Sequence, residues 1–192
     1  MDRVKKIVLT GAPSSGKSSA LAAIEALNFP SVVLVPESAV VLLKGGFPAP
    51  AHDDLEQIRA FQNSILTVQE NLEGISLRRQ PKATHMILDR AKMDGAAFWP
   101  PGVEDYLKNF PVKIEDELAK YDHVIFLDMP PQEFFGGVNQ SRFHNFEQSL
   151  ESQQRLLQVW GKHQSFKRIE AQKDFSKKTE NILAALKSLG AL

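Results

Sequence analysis

Eight consecutive residues, Gly11-Ala12-Pro13-Ser14-Ser15-Gly16-Lys17-Ser18, stand between a short apolar run and an alanine- and leucine-rich segment. The run Val4 to Thr10 is apolar and β-branched, reads as a buried strand, and is ended by Gly11 and Pro13. Ser18 to Leu27 carries apolar positions at helical spacing and closes at Asn28 and Pro30. Strand, glycine loop and helix in this order turn backbone N–H groups inward and aim a helix N-terminus at the same point. A group of phosphate oxygens fits such a turn. Lys17 is expected to bridge the β- and γ-phosphates and the Ser18 hydroxyl to ligate Mg²⁺, so the pattern is that of a P-loop. Gly11, Ala12, Pro13, Ser14, Ser15, Gly16, Lys17 and Ser18 make up the expected phosphate site, and Ser19 adds a donor beside it.

Three further apolar runs follow, at Ser31 to Val35, His85 to Leu88 and Val124 to Leu127, and Ser165 to Ile169 is read as a fifth strand although it is short and interrupted by Lys167 and Arg168. Helical patterns separate them. Asp53 to Glu73 places Leu55, Ile58, Phe61, Ile65, Leu66, Val68 and Leu72 at helical intervals, and Phe146 to Trp160 and Phe175 to Leu186 predict two more helices. Five strands alternating with helices predict an α/β fold, an open, doubly wound parallel sheet covered on both faces. A chain of 192 residues accommodates one such core, so residues 1–192 are read as a single domain.

Basic and acidic residues balance at 23 each, so no charge excess points to nucleic acid or an anionic membrane, and nucleic-acid binding is not expected. Cysteine is absent, which removes disulfides, thiolate nucleophiles and thiolate zinc sites and suits a cytoplasmic location. No apolar run is long enough to span a membrane, and Ile7 to Thr10, after Arg3, Lys5 and Lys6, is too short for an export-signal core. Oligomeric state is left open.

In a doubly wound sheet the carboxyl ends of the strands line the ligand crevice. Glu37, Asp89 and Asp128 end three of the candidate strands. His85 to Asp89 has the apolar run and terminal aspartate of a Walker B strand, so Asp89 is expected to hold Mg²⁺ through its water shell or to contact a phosphoryl acceptor. Arg90 beside it suits a phosphate or a carboxylate, although an ordinary strand terminus would read the same way. Val124 to Asp128 fits the same description, but Pro130 and Pro131 follow and favour a loop role for Asp128. Glu37 suits a general base, because a hydroxyl acceptor needs a carboxylate to orient it and take its proton; a helix-capping glutamate is the plain alternative. Residues 136–145 are glycine-led and polar, a candidate lid in which Arg142 would neutralise a transferring phosphoryl group, or else a solvated loop. Phe98 and Trp99, with Asp94 and Tyr106 nearby, are candidate walls of a ring pocket, or core plugs.

Gly11 to Ser18, Pro36-Glu37-Ser38-Ala39, Asp89-Arg90 followed by Asp94-Gly95, Tyr121 to Leu127 and Arg142 to Trp160 together resemble the kinase-like AAA family. That family contains the ATPase domain of the bacterial nicotinamide riboside kinase and NAD-biosynthesis regulator. The resemblance implies a nucleotide-kinase-like five-stranded sheet in the order 2-3-1-4-5 and binding of ATP or GTP with Mg²⁺. It also implies that Glu37 is the acidic residue after strand two and Asp89-Arg90 the pair near the acceptor. Leu127 to Pro131 looks like the segment before the lid of thymidylate kinase, while the candidate lid carries Arg142 without the dense arginine cluster of many nucleotide kinases. The base-reading sequence Asn-Lys-x-Asp is absent, which places ATP ahead of GTP.

The expected activity is therefore a Mg²⁺-dependent, ATP-binding, kinase-like phosphotransferase whose partner is a small-molecule phosphoryl acceptor such as a nucleoside or nucleotide. A regulatory ATPase or GTPase without such an acceptor is the alternative. Catalytic roles fall on Lys17, Glu37, Asp89 and Arg142, and metal ligation on Ser18 and Asp89.

Overall fold

Each of the five candidate segments becomes a strand in the computed structural model, which describes residues 3–135 and 145–192. The order is β1 (Lys5–Gly11), α1 (Lys17–Ala26), β2 (Val32–Val35), α2 (Ser38–Lys44), α3 (Leu55–Arg79) and β3 (His85–Asp89). A 3₁₀ segment (Lys92–Phe98), α4 (Val103–Asn109), α5 (Ile114–Leu118) and β4 (His123–Leu127) follow. A 3₁₀ turn (Gln132–Phe134), α6 (Phe146–Trp160), β5 (Phe166–Ile169) and α7 (Phe175–Ser188) complete the described chain. All pairings are parallel and the sheet runs β2-β3-β1-β4-β5, the expected order.

Side chains alternate across a strand, and here both directions are apolar. Val8, Met86, Leu88, Val124 and Phe126 enter a core with residues of α3, the 3₁₀ segment and α6. Ile7, Leu9, Ile87, Ile125 and Leu127 enter a second core with α1 and α7. Fully burying one such side chain contributes about 1.5–3 kcal/mol, so the central strands are fixed from both faces.

The long helix α3 starts at Asp54, whose carboxylate accepts the Gln57 backbone N–H at 3.0 Å. It continues six residues beyond the expected end at Glu73 because exposed Gly74 interrupts no packing and Leu77 still reaches the core; the chain leaves the helix just before Pro81. The irregular stretch after Lys92 is a tight 3₁₀ segment with Met93 to Ala97 buried. Trp99 and Tyr106 are plugs of the core. Trp99 meets Phe110 edge-on at 5.1 Å with its indole N–H on Asp105, and Tyr106 stacks on Phe110 at 4.3 Å. Among the described residues, no helix is long and apolar enough to cross a membrane.

Strand register decides what meets at the carboxyl edge. Leu9 pairs with Asp89, Val35 with Leu88 and Gly11 with Leu127. One or two residues further along, Glu37, Arg90 and the start of the glycine loop arrive side by side.

Candidate functional site

The loop after β1 is shaped by close approach. A Cβ on Gly11 would lie 2.3 Å from the Leu127 carbonyl oxygen and 2.8 Å from Ser15 Oγ, and its φ is 149°; only glycine lets β1 turn against β4 here. Gly16, at φ 95°, makes the second turn directly before α1.

Lys17, the first residue of α1, is buried and folds back over the loop. Its ammonium donates to the Gly11 carbonyl at 3.0 Å, with longer approaches of 3.4 Å to the Ala12 carbonyl and Ser15 Oγ. Burial lowers its pKa to about 8; Arg90 pushes the same way, against Asp89, Glu37 and Asp94. Ser18 and Ser19 face solvent on the first turn of α1.

Asp89 closes β3 and is buried, with Oδ1 lacking a hydrogen-bond partner. Burial raises its pKa to about 6; Lys17 and Arg90 hold it down while Glu37 and Asp94 raise it. At the next residue the backbone turns left-handed, φ 66°. This conformation is sparsely populated for a non-glycine residue, and it sends the Arg90 guanidinium back across the loop. Nη1 donates to the Gly11 carbonyl at 3.0 Å and to Asp94 Oδ1 at 3.1 Å, and the group lies 4.9 Å over the Phe98 ring. Nε is 3.1 Å from Glu37 Oε1, close enough for an ion pair but off the axis of a hydrogen bond. Burial alone would lower the Arg90 pKa, yet Glu37, Asp94 and Asp89 together raise it.

Glu37 occupies the N-cap position of α2 without making a side-chain capping bond. Its carboxylate is turned to Arg90, with 23% of the side chain exposed. Asp94, expected only as a neighbour of the ring pocket and as part of the family pattern, is the buried hub of the site. Its two oxygens accept from Thr10 Oγ1 at 2.5 Å, Arg90 at 3.1 Å, the Ala91 N–H at 3.1 Å and the Trp160 indole at 3.1 Å. The four-residue spacing from Arg90 was visible in the chain; Thr10 and Trp160 arrive only through the fold.

Asp128, at the end of β4, differs from Asp89 although the two strands read alike. Arg168 Nε lies 2.9 Å from both Asp128 oxygens, and Lys178 donates to the Asp128 carbonyl. Its charge is matched from β5. Arg142 and residues 136–144 of the candidate lid lie outside the described residues; Asn145 is the N-cap of α6, paired with Gln148 in a capping box.

The donor set suits a nucleoside triphosphate with a divalent cation. Lys17 has only neutral oxygens within hydrogen-bonding reach, Asp89 Oδ1 and Ser14 Oγ are buried without partners, and the Gly11 turn leaves no room for a side chain. Among the described residues no three carboxylate, histidine or cysteine side chains cluster as a metal cage. Magnesium at phosphate sites draws most of its ligands from phosphate and water, so one hydroxyl and one carboxylate, Ser18 and Asp89, are an adequate protein share.

A family model described as an AAA domain matches residues 6–178. No curated protein matches the chain. Solved structures do, in 304 chains, so the architecture is widely shared. Thymidylate kinase from Candida albicans, whose structure is described as revealing the origin of broad substrate specificity and a novel structural element, aligns at a TM-score of 0.66 with 15% identity. The alignment covers 98% of this chain and 93% of that one, and at such identity it speaks for the fold, a nucleotide-kinase-like P-loop sheet.

Proposed function

The chain belongs to the AAA domain family matched over residues 6–178, and from that premise we propose that it is a Mg²⁺-dependent kinase transferring the γ-phosphoryl group of ATP to a hydroxyl of a small metabolite such as a nucleoside. The observation that carries this reading is the Glu37 carboxylate, free of any capping bond, 3.1 Å from an arginine anchored to the glycine loop. Arg90 already faces Glu37 and Asp94, so it offers little unmatched positive charge to a second phosphate. An uncharged hydroxyl acceptor suits that balance better than a phosphate acceptor.

Mg²⁺-ATP, when bound, supplies the activated phosphoryl group. Lys17 would exchange its carbonyl partners for phosphate oxygens and, as an ammonium, stabilise the charge that develops on the transferred group. Ser18 and Asp89 are the residues that would hold the cation. Glu37 orients the acceptor hydroxyl and takes its proton on a carboxylate oxygen as the oxygen–phosphorus bond forms and the bond to the departing diphosphate breaks. Arg90, fixed by Gly11 and Asp94, holds the Glu37 carboxylate aimed. Arg142 is the proposed additional cation of the transfer step.

The test is phosphate transfer from Mg²⁺-ATP and Mg²⁺-GTP across a panel of nucleosides, nucleotides and riboside metabolites, with Lys17→Ala as control. Transfer to a hydroxyl acceptor, lost in the control, is the expected result. Nucleotide binding with no acceptor-dependent turnover would replace the kinase with a regulatory ATPase.

A further inference from the structure

Behind Glu37 a line of buried polar side chains crosses an otherwise apolar layer. Ser38 Oγ donates to Gln69 Oε1 at 2.6 Å, and Gln69 Nε2 donates to Glu73 Oε1 at 3.2 Å. Glu73 also accepts from the Tyr121 hydroxyl at 3.3 Å and from Lys6 Nζ at 2.8 Å. Ser38, Gln69, Glu73 and Tyr121 are all buried, the first two only 2% exposed. Apolar residues of similar size would fill the same space without desolvating five polar groups. What the line adds is direction.

The sense of each bond follows from its far end. Lys6 and Tyr121 donate, so Glu73 is the acceptor; an acceptor there draws the NH₂ of Gln69, which leaves the amide oxygen for Ser38. Ser38 is the first residue of α2, one peptide bond from Glu37, and the Glu37 carbonyl accepts the Val41 N–H at 3.0 Å as the first bond of that helix. Glu37 has no capping bond of its own, and its contact with Arg90 is off-axis. The backbone under Glu37 is held at Ser38.

We propose that Gln69 is a positioning residue for Glu37: through Ser38 it clamps the start of α2 and so sets the direction of the Glu37 carboxylate. This rests on the reading of Glu37 as the group that receives the acceptor proton. Gln69 touches neither nucleotide nor acceptor. A displacement of about 1 Å at a reacting group lowers a rate by about 100-fold, which is the scale on which such a clamp acts.

The informative variant is the double replacement Ser38→Ala with Gln69→Met, which removes both ends of the bond, leaves no orphan at either position and keeps the volume close. Glu73 retains Lys6 and Tyr121. Expected are a thermal midpoint and an ATP affinity near those of the wild type, a kcat for phosphoryl transfer lower by at least about tenfold, and faster hydrogen exchange at the Val41 amide. Ser38→Thr, which keeps the hydroxyl, restores transfer. Unchanged exchange at Val41, or faster exchange with undiminished kcat, overturns the clamp. A loss of kcat that merely follows a loss of thermal stability, or one that Ser38→Thr shares, overturns it as well. A wild-type protein that transfers phosphate to no acceptor overturns the kinase reading and this role with it, whereas an active wild type matched by an equally active double variant overturns the role of Gln69 alone.

Discussion

The two halves of the site are built in opposite ways. The proposed phosphate half, Gly11 to Ser18, is one unbroken segment shaped by its backbone, and its one strong charge, Lys17, is buried among neutral oxygens. The acceptor half, Glu37, Arg90 and Asp94, comes from two segments and is internally compensated, each carboxylate against one guanidinium. The first half is incomplete without a ligand, and the second is complete without one. Removing a charge should therefore stabilise the first and destabilise the second.

Arg90→Met is expected to give the largest effect. It leaves Glu37 and Asp94 without their cation in a largely buried place, which costs about 3–5 kcal/mol, read as a fall in the denaturant midpoint. A change below 1 kcal/mol would mean that the acceptor half is not held by this pair. Lys17→Ala should do the reverse: turnover of ATP falls by about 10²–10³-fold, while the nucleotide-free protein gains about 1–3 kcal/mol because a buried ammonium is gone. If it loses stability instead, Lys17 is part of the fold and the comparison breaks.

Asp89→Asn should also stabilise the nucleotide-free protein, by about 1–3 kcal/mol at pH 7.5. The folded pKa of Asp89, about 6, stands above its unfolded value, so the folded state binds more protons between pH 4 and 6 and the contribution of Asp89 to stability falls as pH rises through that window. Below about pH 4 the gain from the substitution should vanish. Urea titrations at pH 4 and 7.5 check this; an equal gain at both would place the effect in packing.

The smallest effect is a slope. The Lys17 pKa of about 8 lies below its unfolded value, so the folded state binds fewer protons from about pH 8 to 10.5 and stability from this group rises with pH there. Nucleotide phosphate needs the ammonium, so ATP affinity should be flat below about pH 7.5 and fall toward tenfold per pH unit above about pH 8. Calorimetric titrations at pH 7, 8 and 9 read the slope, and affinity independent of pH over that range would remove Lys17 as the titrating group.

The contrast in construction also explains what could be read from the chain. The shape of the glycine loop was legible because it is written in adjacent residues with fixed conformational demands, down to the close contact that reserves Gly11 for glycine. The first four strands were legible from their apolar runs and the fifth only in part, because Lys167 and Arg168 interrupt it; their order was carried by the family resemblance, since periodicity does not say which strands are neighbours. Asp89 and Asp128 could be separated only in part: proline after Asp128 was visible, whereas the pairing with Arg168 depends on β4 lying beside β5. The aromatic cluster was ambiguous for the same reason. Phe98 lies under Arg90 in the site while its neighbour Trp99 fills the core. Asp94 was noted as a neighbour of those rings, yet its partners Thr10 and Trp160 lie 84 and 66 residues away in the chain.

The most direct test of the two-part site is Glu37→Gln, which keeps shape and removes the base. ATP affinity should stay within about twofold of the wild type while phosphoryl transfer to the acceptor falls by about 10²–10⁴-fold. Transfer that survives the substitution, or a parallel loss of ATP binding, would contradict the assignment of separate phosphate and acceptor halves.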